Sequence, residues 1–109
     1  MRLPKFFGKP KRPNLIARRI VGDSMSPTLR QGRIVVALCR THFLQVGDVI
    51  VLRHDGLEKI KRIKRIDPRF GVYVVGDNPA RSTDSRHFGW VPVDDVLGRL
   101  IWPRTTSDR

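Results

Sequence analysis

The chain has 109 residues, a formal net charge of +12, 39% apolar residues and 29% charged residues. That length supports one hydrophobic core rather than two, and that composition excludes a wholly disordered chain. The longest apolar run, Ile34-Val35-Val36-Ala37-Leu38-Cys39, falls far short of the ~20 residues that cross a bilayer.

Residues 1–14 place Pro4, Pro10 and Pro13 among Arg2, Lys5, Lys9, Lys11 and Arg12. Proline discourages both helix and interior strand, so this stretch reads as a basic extended arm. It holds no apolar core, so no signal peptide is expected. Leu3, Phe6 and Phe7 are expected to pack on the domain or to make weak, reversible contact with an anionic membrane. The expected location is cytoplasmic or peripheral at a membrane, with no transmembrane segment. Seven basic residues precede the first acid, Asp23, and taking these from +12 leaves +5 for the remainder.

Short β-type segments then alternate with turn signals. Ile16–Val21 reads as a strand, broken by Gly22-Asp23 and a Ser-Pro-Thr turn. Arg33–Leu38, rich in β-branched residues, reads as the next. Cys39 ends that run and reads as a core residue; a lone cysteine excludes an internal disulfide and a Cys-based zinc site. Val49–Arg53 follows Gly47-Asp48, and His54-Asp55-Gly56 turns the chain into Leu57–Ile66. In that segment Ile60, Ile63 and Ile66 recur every three residues, which also fits an amphipathic helix. As a strand, both faces would be mixed, so periodicity leaves the choice open. Val72–Val75 is a further strand ending at Gly76-Asp77-Asn78-Pro79, and Val91, Val96 and Gly98–Trp102 complete the set. Strands at this spacing predict an all-β fold, a single small sheet or barrel that is partly closed. The domain is expected over residues 15–103, with a polar tail at 104–109.

A second basic cluster, Arg53, Lys59, Lys61, Arg62, Lys64, Arg65 and Arg69, is diluted by Asp55, Glu58 and Asp67. Such patches attract polyanions without sequence information. No zinc-finger spacing and no aromatic-flanked RNA signature accompanies them, so no specific nucleic acid is expected. Among chemical candidates, Ser24 stands at the apex of a turn, where serine is common for ordinary hydrogen-bonding reasons. A serine nucleophile needs a base within reach. His42, His54 and His87 lie in loops without triad or metal spacing, and each reads as a surface or structural residue. Lysine is the other base for serine, and it must be desolvated to shed its proton.

Three motifs then fall in order. Gly22-Asp23-Ser24-Met25-Ser26-Pro27-Thr28-Leu29 resembles the Ser-Met-x-Pro-Thr-Leu box of type I signal peptidases. Gly56-Leu57-Glu58-Lys59-Ile60-Lys61-Arg62-Ile63 resembles that family's lysine strand. Gly76-Asp77-Asn78 through Ser82-Thr83-Asp84-Ser85-Arg86 to Gly89-Trp90-Val91-Pro92 resembles its third box, and Val96-Leu97-Gly98-Arg99 its closing segment. The resemblance runs from about Ile16 to Trp102. It implies the fold shared by signal peptidases and SOS-repressor peptidase domains, a Ser/Lys serine endopeptidase activity, and no cofactor or metal. Ser24 would be the nucleophile and Lys61 the general base. Ser82 would hydrogen-bond the lysine amine, and Asp84 and Arg86 would pair to hold the third box. Gly22, Asp23, Met25, Pro27 and Thr28 would shape the turn and the substrate surface. The backbone N–H of Ser24 would supply one oxyanion donor; where some bacterial signal peptidases carry a serine, Gly22 leaves that work to backbone donors.

Lys64-Arg65-Ile66 repeats Lys61-Arg62-Ile63, which offers Lys64 as a second candidate base. The Gly56-x-Glu58 turn aligns Lys61 with the family's lysine. A bacterial signal peptidase also carries a membrane anchor and usually a second β-domain. The compact build here is similar to the anchorless branch of nickel-type superoxide dismutase maturation proteases, which trim an N-terminal extension from their substrate. The expected partner is a protein or peptide bound as an extended strand, with the oligomeric state open. Two other readings stand beside this one: a self-cleaving SOS-regulator-like peptidase, and a catalytically silent basic binding module.

Overall fold

In a computed structural model, residues 14–39 and 43–105 are described; the basic arm before Asn14 and His42 lie outside them. Six strands form one antiparallel sheet in the order β1-β2-β6-β3-β4-β5. They are β1 Leu15–Arg19, β2 Ile34–Leu38, β3 Val49–His54, β4 Leu57–Asp67, β5 Gly71–Val75 and β6 Val96–Trp102. The fold is all-β with short helical turns, and the sheet does not close into a barrel, since β1 and β5 remain its two edges.

β1 and β2 pair from Leu15↔Leu38 to Arg19↔Ile34. The first strand stops two residues short of the expected Val21, but Ile20 keeps the pairing going: its N–H donates to Arg33 and its carbonyl accepts from Gly32. Cys39 is half-buried rather than a core residue, because the β-run ends at Leu38 and the chain there begins to bend away. β3 is apolar without alternation, and its four residues Val49–Leu52 are all buried. Its side chains divide between two clusters, one on each face. Val49 and Val51 join Ile20, Met25, Leu29, Val35, Ala37 and Leu100. Ile50 and Leu52 join Ile63, Val72, Val74, Val91 and Val96.

The tight turn between β3 and β4 places Asp55 at φ 55° and Gly56 at φ 78°, the paired left-handed conformation that suits a two-residue hairpin. β4 settles the choice left open at Lys59–Ile66: it is a strand throughout, paired to β3 from Val49↔Arg62 to His54↔Leu57. The isoleucine spacing has a β explanation. The register to β5 runs Ile63↔Val74 and then Arg65↔Tyr73, so Lys64 is the extra residue of a bulge. Ile60 serves the first cluster and Ile63 the second.

β5 covers only the second half of β4, from Arg62↔Val75 to Asp67↔Gly71. The stretch Glu58–Lys61 therefore has β3 on one side and no strand on the other. Opposite that free edge lies the end of β1, and the Ser24 turn projects between them.

Candidate active site

Gly22 opens the Ser24 turn at φ 85°, with nothing within 4 Å of where a Cβ would stand. Glycine is there for its backbone conformation, not for space. Ser26 N–H donates to the Asp23 carbonyl and Leu29 N–H to the Met25 carbonyl. Met25 and Leu29 are each 1% exposed and act as two apolar pegs in the first cluster. Ser24, just before the first peg, is half-buried, and Pro27, between the two pegs after a cis Ser26–Pro27 bond, is exposed.

The Gly76-Asp77-Asn78 segment holds this turn from the far end of the sequence. Asn78 N–H donates to the Ser24 carbonyl at 2.8 Å, and its side-chain amide donates to the Asp23 carbonyl at 3.0 Å. Asp77 N–H rests against the Met25 sulfur at 3.4 Å. A Cβ at Gly76 would stand 2.6 Å from the Ser24 carbonyl oxygen and would collide with the Ser82 hydroxyl. Glycine at this position lets the Ser24 carbonyl and the Ser82 side chain both close on the space a Cβ would fill.

Lys61 faces Ile50 across β3 and β4 and is only 5% exposed. Its ammonium group donates to the Ser82 hydroxyl at 3.1 Å. Ser82, buried just after a single turn of 3-10 helix at Pro79–Arg81, donates in turn to Asp84 at 2.5 Å. Asp84 is fully buried and caps the short helical turn α1, Ser85–Phe88. The same carboxylate accepts from Gly76 N–H at 2.8 Å and from the Arg86 fork at 2.9 and 2.7 Å. Ser85 fastens α1 to β5 by accepting from Val74 N–H at 2.8 Å.

The electrostatics follow from this burial. Desolvation pushes the Lys61 amine below its ordinary value of 10.5; Asp84 opposes that, while Lys59 and Arg86 assist it. Burial alone would raise the Asp84 carboxyl, but Arg86, Ser82 and the Gly76 amide together hold it well below the usual carboxylate range. Asp84 is therefore an anion already engaged by its own arginine, and one hydroxyl separates it from the lysine.

The neighbouring Arg62 points to the other face of β4. It grips Asp77 through two bonds at 2.9 and 2.8 Å and donates to the Gly47 carbonyl at 2.7 Å. The Thr28 hydroxyl also bonds Asp77, so this ion pair ties β4 to the Ser24 turn. Asp77, Asn78, Gly76 and Arg62 carry this positioning work, although residue-by-residue reading assigned them no role. Their signal was present: Gly-Asp-Asn and Lys-Arg both lay inside the motifs that carried the resemblance.

Ser24 and Met25 close one end of a groove of about 270 Å³. One wall is Arg18–Val21 and the other is Glu58–Lys61, so Lys61 and Ser24 line the same space. The hydrogen bond of the Lys61 amine goes to Ser82. Lys64, the alternative base, is exposed at the bulge. His54 stacks on Phe88 with ring centroids 4.0 Å apart, and His87 completes the capping box of α1.

Residues 2–89 match the family described as Peptidase S24-like. This chain is a member of that peptidase family. It is 32% identical to "Mitochondrial inner membrane protease subunit 1" of Mus musculus over 75% of this chain and 66% of that protein. It is 33% identical to "Mitochondrial ATP-independent inner membrane protease subunit 1a" of Arabidopsis thaliana, over 75% of this chain and 67% of that protein. A shorter match, 38% identical over 43% of this chain and 27% of the other, links it to "Signal peptidase I" of Bacillus caldolyticus. The chain thus spans about two-thirds of the length of the inner-membrane relatives. Among the described residues of this S24-like chain, no helix is long and apolar enough to cross a membrane.

Proposed function

We propose that this S24-like peptidase is a serine endopeptidase that removes an N-terminal extension or signal-like peptide from a protein substrate, with Ser24 as nucleophile and Lys61 as general base. The observation that carries this reading is a buried lysine, hydrogen-bonded to a hydroxyl and not directly to a carboxylate, in the same groove as a serine at a rigid turn. In water roughly one lysine in a few thousand is neutral at pH 7. Burial among the strands raises that fraction, and Ser82 keeps the amine aimed while Asp84 and Arg86 keep Ser82 aimed.

The substrate enters as an extended strand between the free edges of β1 and β4, taking up backbone donors and acceptors on both sides. The Lys61 amine takes the Ser24 proton, and the Ser24 oxygen attacks the scissile carbonyl. Backbone N–H groups, that of Ser24 among them, hold the oxyanion. The C–N bond breaks as Lys61 returns the proton to the departing amine. Water, deprotonated by the same lysine, then releases the acyl group from Ser24. The names of the relatives, a signal peptidase and inner-membrane proteases, favour processing of another protein over self-cleavage.

Comparison of new protein N-termini in lysate treated with the wild-type chain or with Ser24→Ala tests this. Wild type should generate a defined set of N-termini that Ser24→Ala does not. The same set from both proteins would refute the assignment.

A further inference from the structure

Glu58 sits at the end of the groove away from Ser24. It accepts from the Arg18 Nε at 2.6 Å and from Nη2 at 3.1 Å, and Arg53 approaches it to 3.7 Å. Arg18 belongs to β1 and Glu58 to β4, so this fork joins the two walls of the groove across 40 residues of sequence.

The charge around the pair is lopsided. Arg18, Arg19, Lys59 and Lys61 line the groove with Glu58 as the single carboxylate, and Arg53 adds a further cation beside it. Both members remain reachable, with side chains 38% and 31% exposed. A strand entering the groove must pass the place where Arg18 and Glu58 meet. A substrate carboxylate arriving there can replace Glu58 on the same guanidinium fork, which matches carboxylates in two-point geometry. Glu58 retains Arg53 as its partner, so the exchange strands no charge. A substrate lysine at the same place meets two guanidinium groups, those of Arg18 and Arg53, and one carboxylate already engaged.

Resting on the reading of the groove as the peptide site, we infer that the Arg18–Glu58 pair is a specificity clasp that selects peptides carrying an acidic side chain about three or four residues from the scissile bond. Glu58 lies three positions before Lys61 on β4, and at ~3.3 Å per residue an extended substrate spans the same ~10 Å. The clasp is a positioning and selecting device and does not touch the reacting atoms.

The test uses alanine- and threonine-rich dodecapeptides in which Glu, Gln or Lys is moved through positions two to five on either side of the cleaved bond. Binding to the full-length Ser24→Ala chain is read by fluorescence anisotropy, and cleavage by the wild-type chain by mass spectrometry. The Glu peptide should bind about three- to fivefold more tightly than its Gln counterpart at the third or fourth position only, as expected for one part-exposed ion pair. The advantage should shrink as salt rises. Arg18→Gln should abolish it, whereas Glu58→Gln, which frees the fork, should enlarge it. Equal binding of Glu and Gln peptides, or preference for Lys, would overturn the clasp even if cleavage proceeds. Glu-selective binding without cleavage would support the clasp and count against the Ser24 and Lys61 roles. Failure of every peptide to bind would overturn both the clasp and the groove as a peptide site.

Discussion

Lys61 and Arg62 are consecutive cations on one strand, and the fold treats them in opposite ways. Arg62 is given a carboxylate held by two hydrogen bonds, and a main-chain carbonyl besides. Lys61 is buried more deeply and is given a hydroxyl. The nearest carboxylate on its side, Asp84, is already held by Arg86. Arginine does not lose its proton in proteins, so only a fixed anion makes its burial tolerable. Lysine can lose its proton, and burial without a direct counter-ion favours that loss. One face of β4 therefore stores a permanent charge as a structural tie, and the other holds a buried amine that desolvation inclines to give up its proton.

The sharpest way to break this contrast is Lys61→Arg, which keeps charge and hydrogen-bond donors but cannot supply a neutral amine. Cleavage should fall by about 10²- to 10⁴-fold, the usual worth of a positioned general base. Unchanged kcat/KM in a folded variant would remove Lys61 from the mechanism, and a matching loss in Lys64→Ala would point to the bulge residue instead.

Asp84→Ala should be next in size. It deprives the partly exposed Arg86, the Ser82 hydroxyl and the Gly76 amide of one shared acceptor. A loss of about 3 kcal/mol is expected by urea denaturation, the lower end for breaking a buried pair. In the wild type the stabilisation from Asp84 is complete above its ordinary value of 3.8 and declines as pH falls through its depressed folded value. Asp84→Asn should flatten that acid limb. An equally steep limb in the variant would assign it to other carboxylates.

Arg62→Lys should be milder, costing about 1 kcal/mol, because an ammonium group cannot span Asp77 and Gly47 at once. Its activity should fall by no more than a few-fold, since the Gly76–Asn78 hydrogen bonds to the Ser24 turn remain. A loss as large as that of Lys61→Arg would erase the distinction between the two residues.

Lys59→Gln should give the smallest effect, and its sign is informative. Lys59 is one of the charges that lower the Lys61 amine, so removing it should raise that amine. The acid limb of kcat/KM should then move to higher pH, with stability little changed. A shift to lower pH would contradict the electrostatic account.

Much of this was legible in the chain. Strand segments followed from β-branched runs and turn residues, and the hairpin at Asp55-Gly56 from its two turn-forming residues. The isoleucines of β4 were ambiguous because Ile60 and Ile63 serve opposite faces of the sheet and a bulge at Lys64 separates Ile63 from Ile66, so a strand shows a three-residue apolar spacing that mimics a helix. Cys39 misled because an apolar run does not reveal where its strand leaves the core. Asp77 and Arg62 were quoted within motifs but not paired, since sequence spacing carries no information about which face of β4 meets the end of β5.

The resemblance of the motifs nominated the residues proposed for peptidase chemistry; by itself the sequence determined the strand inventory and the Ser24 turn. These depend on local preferences, which act over a few residues. Only the tertiary structure decided that Lys61 is buried while Lys64 is exposed. It also decided that Gly76 lets Ser24 and Ser82 approach one backbone, and that Arg18 meets Glu58 across an open groove. Those outcomes depend on desolvation and on contacts between residues 40 or more apart. Both arise only when the sheet forms and brings its edges near each other.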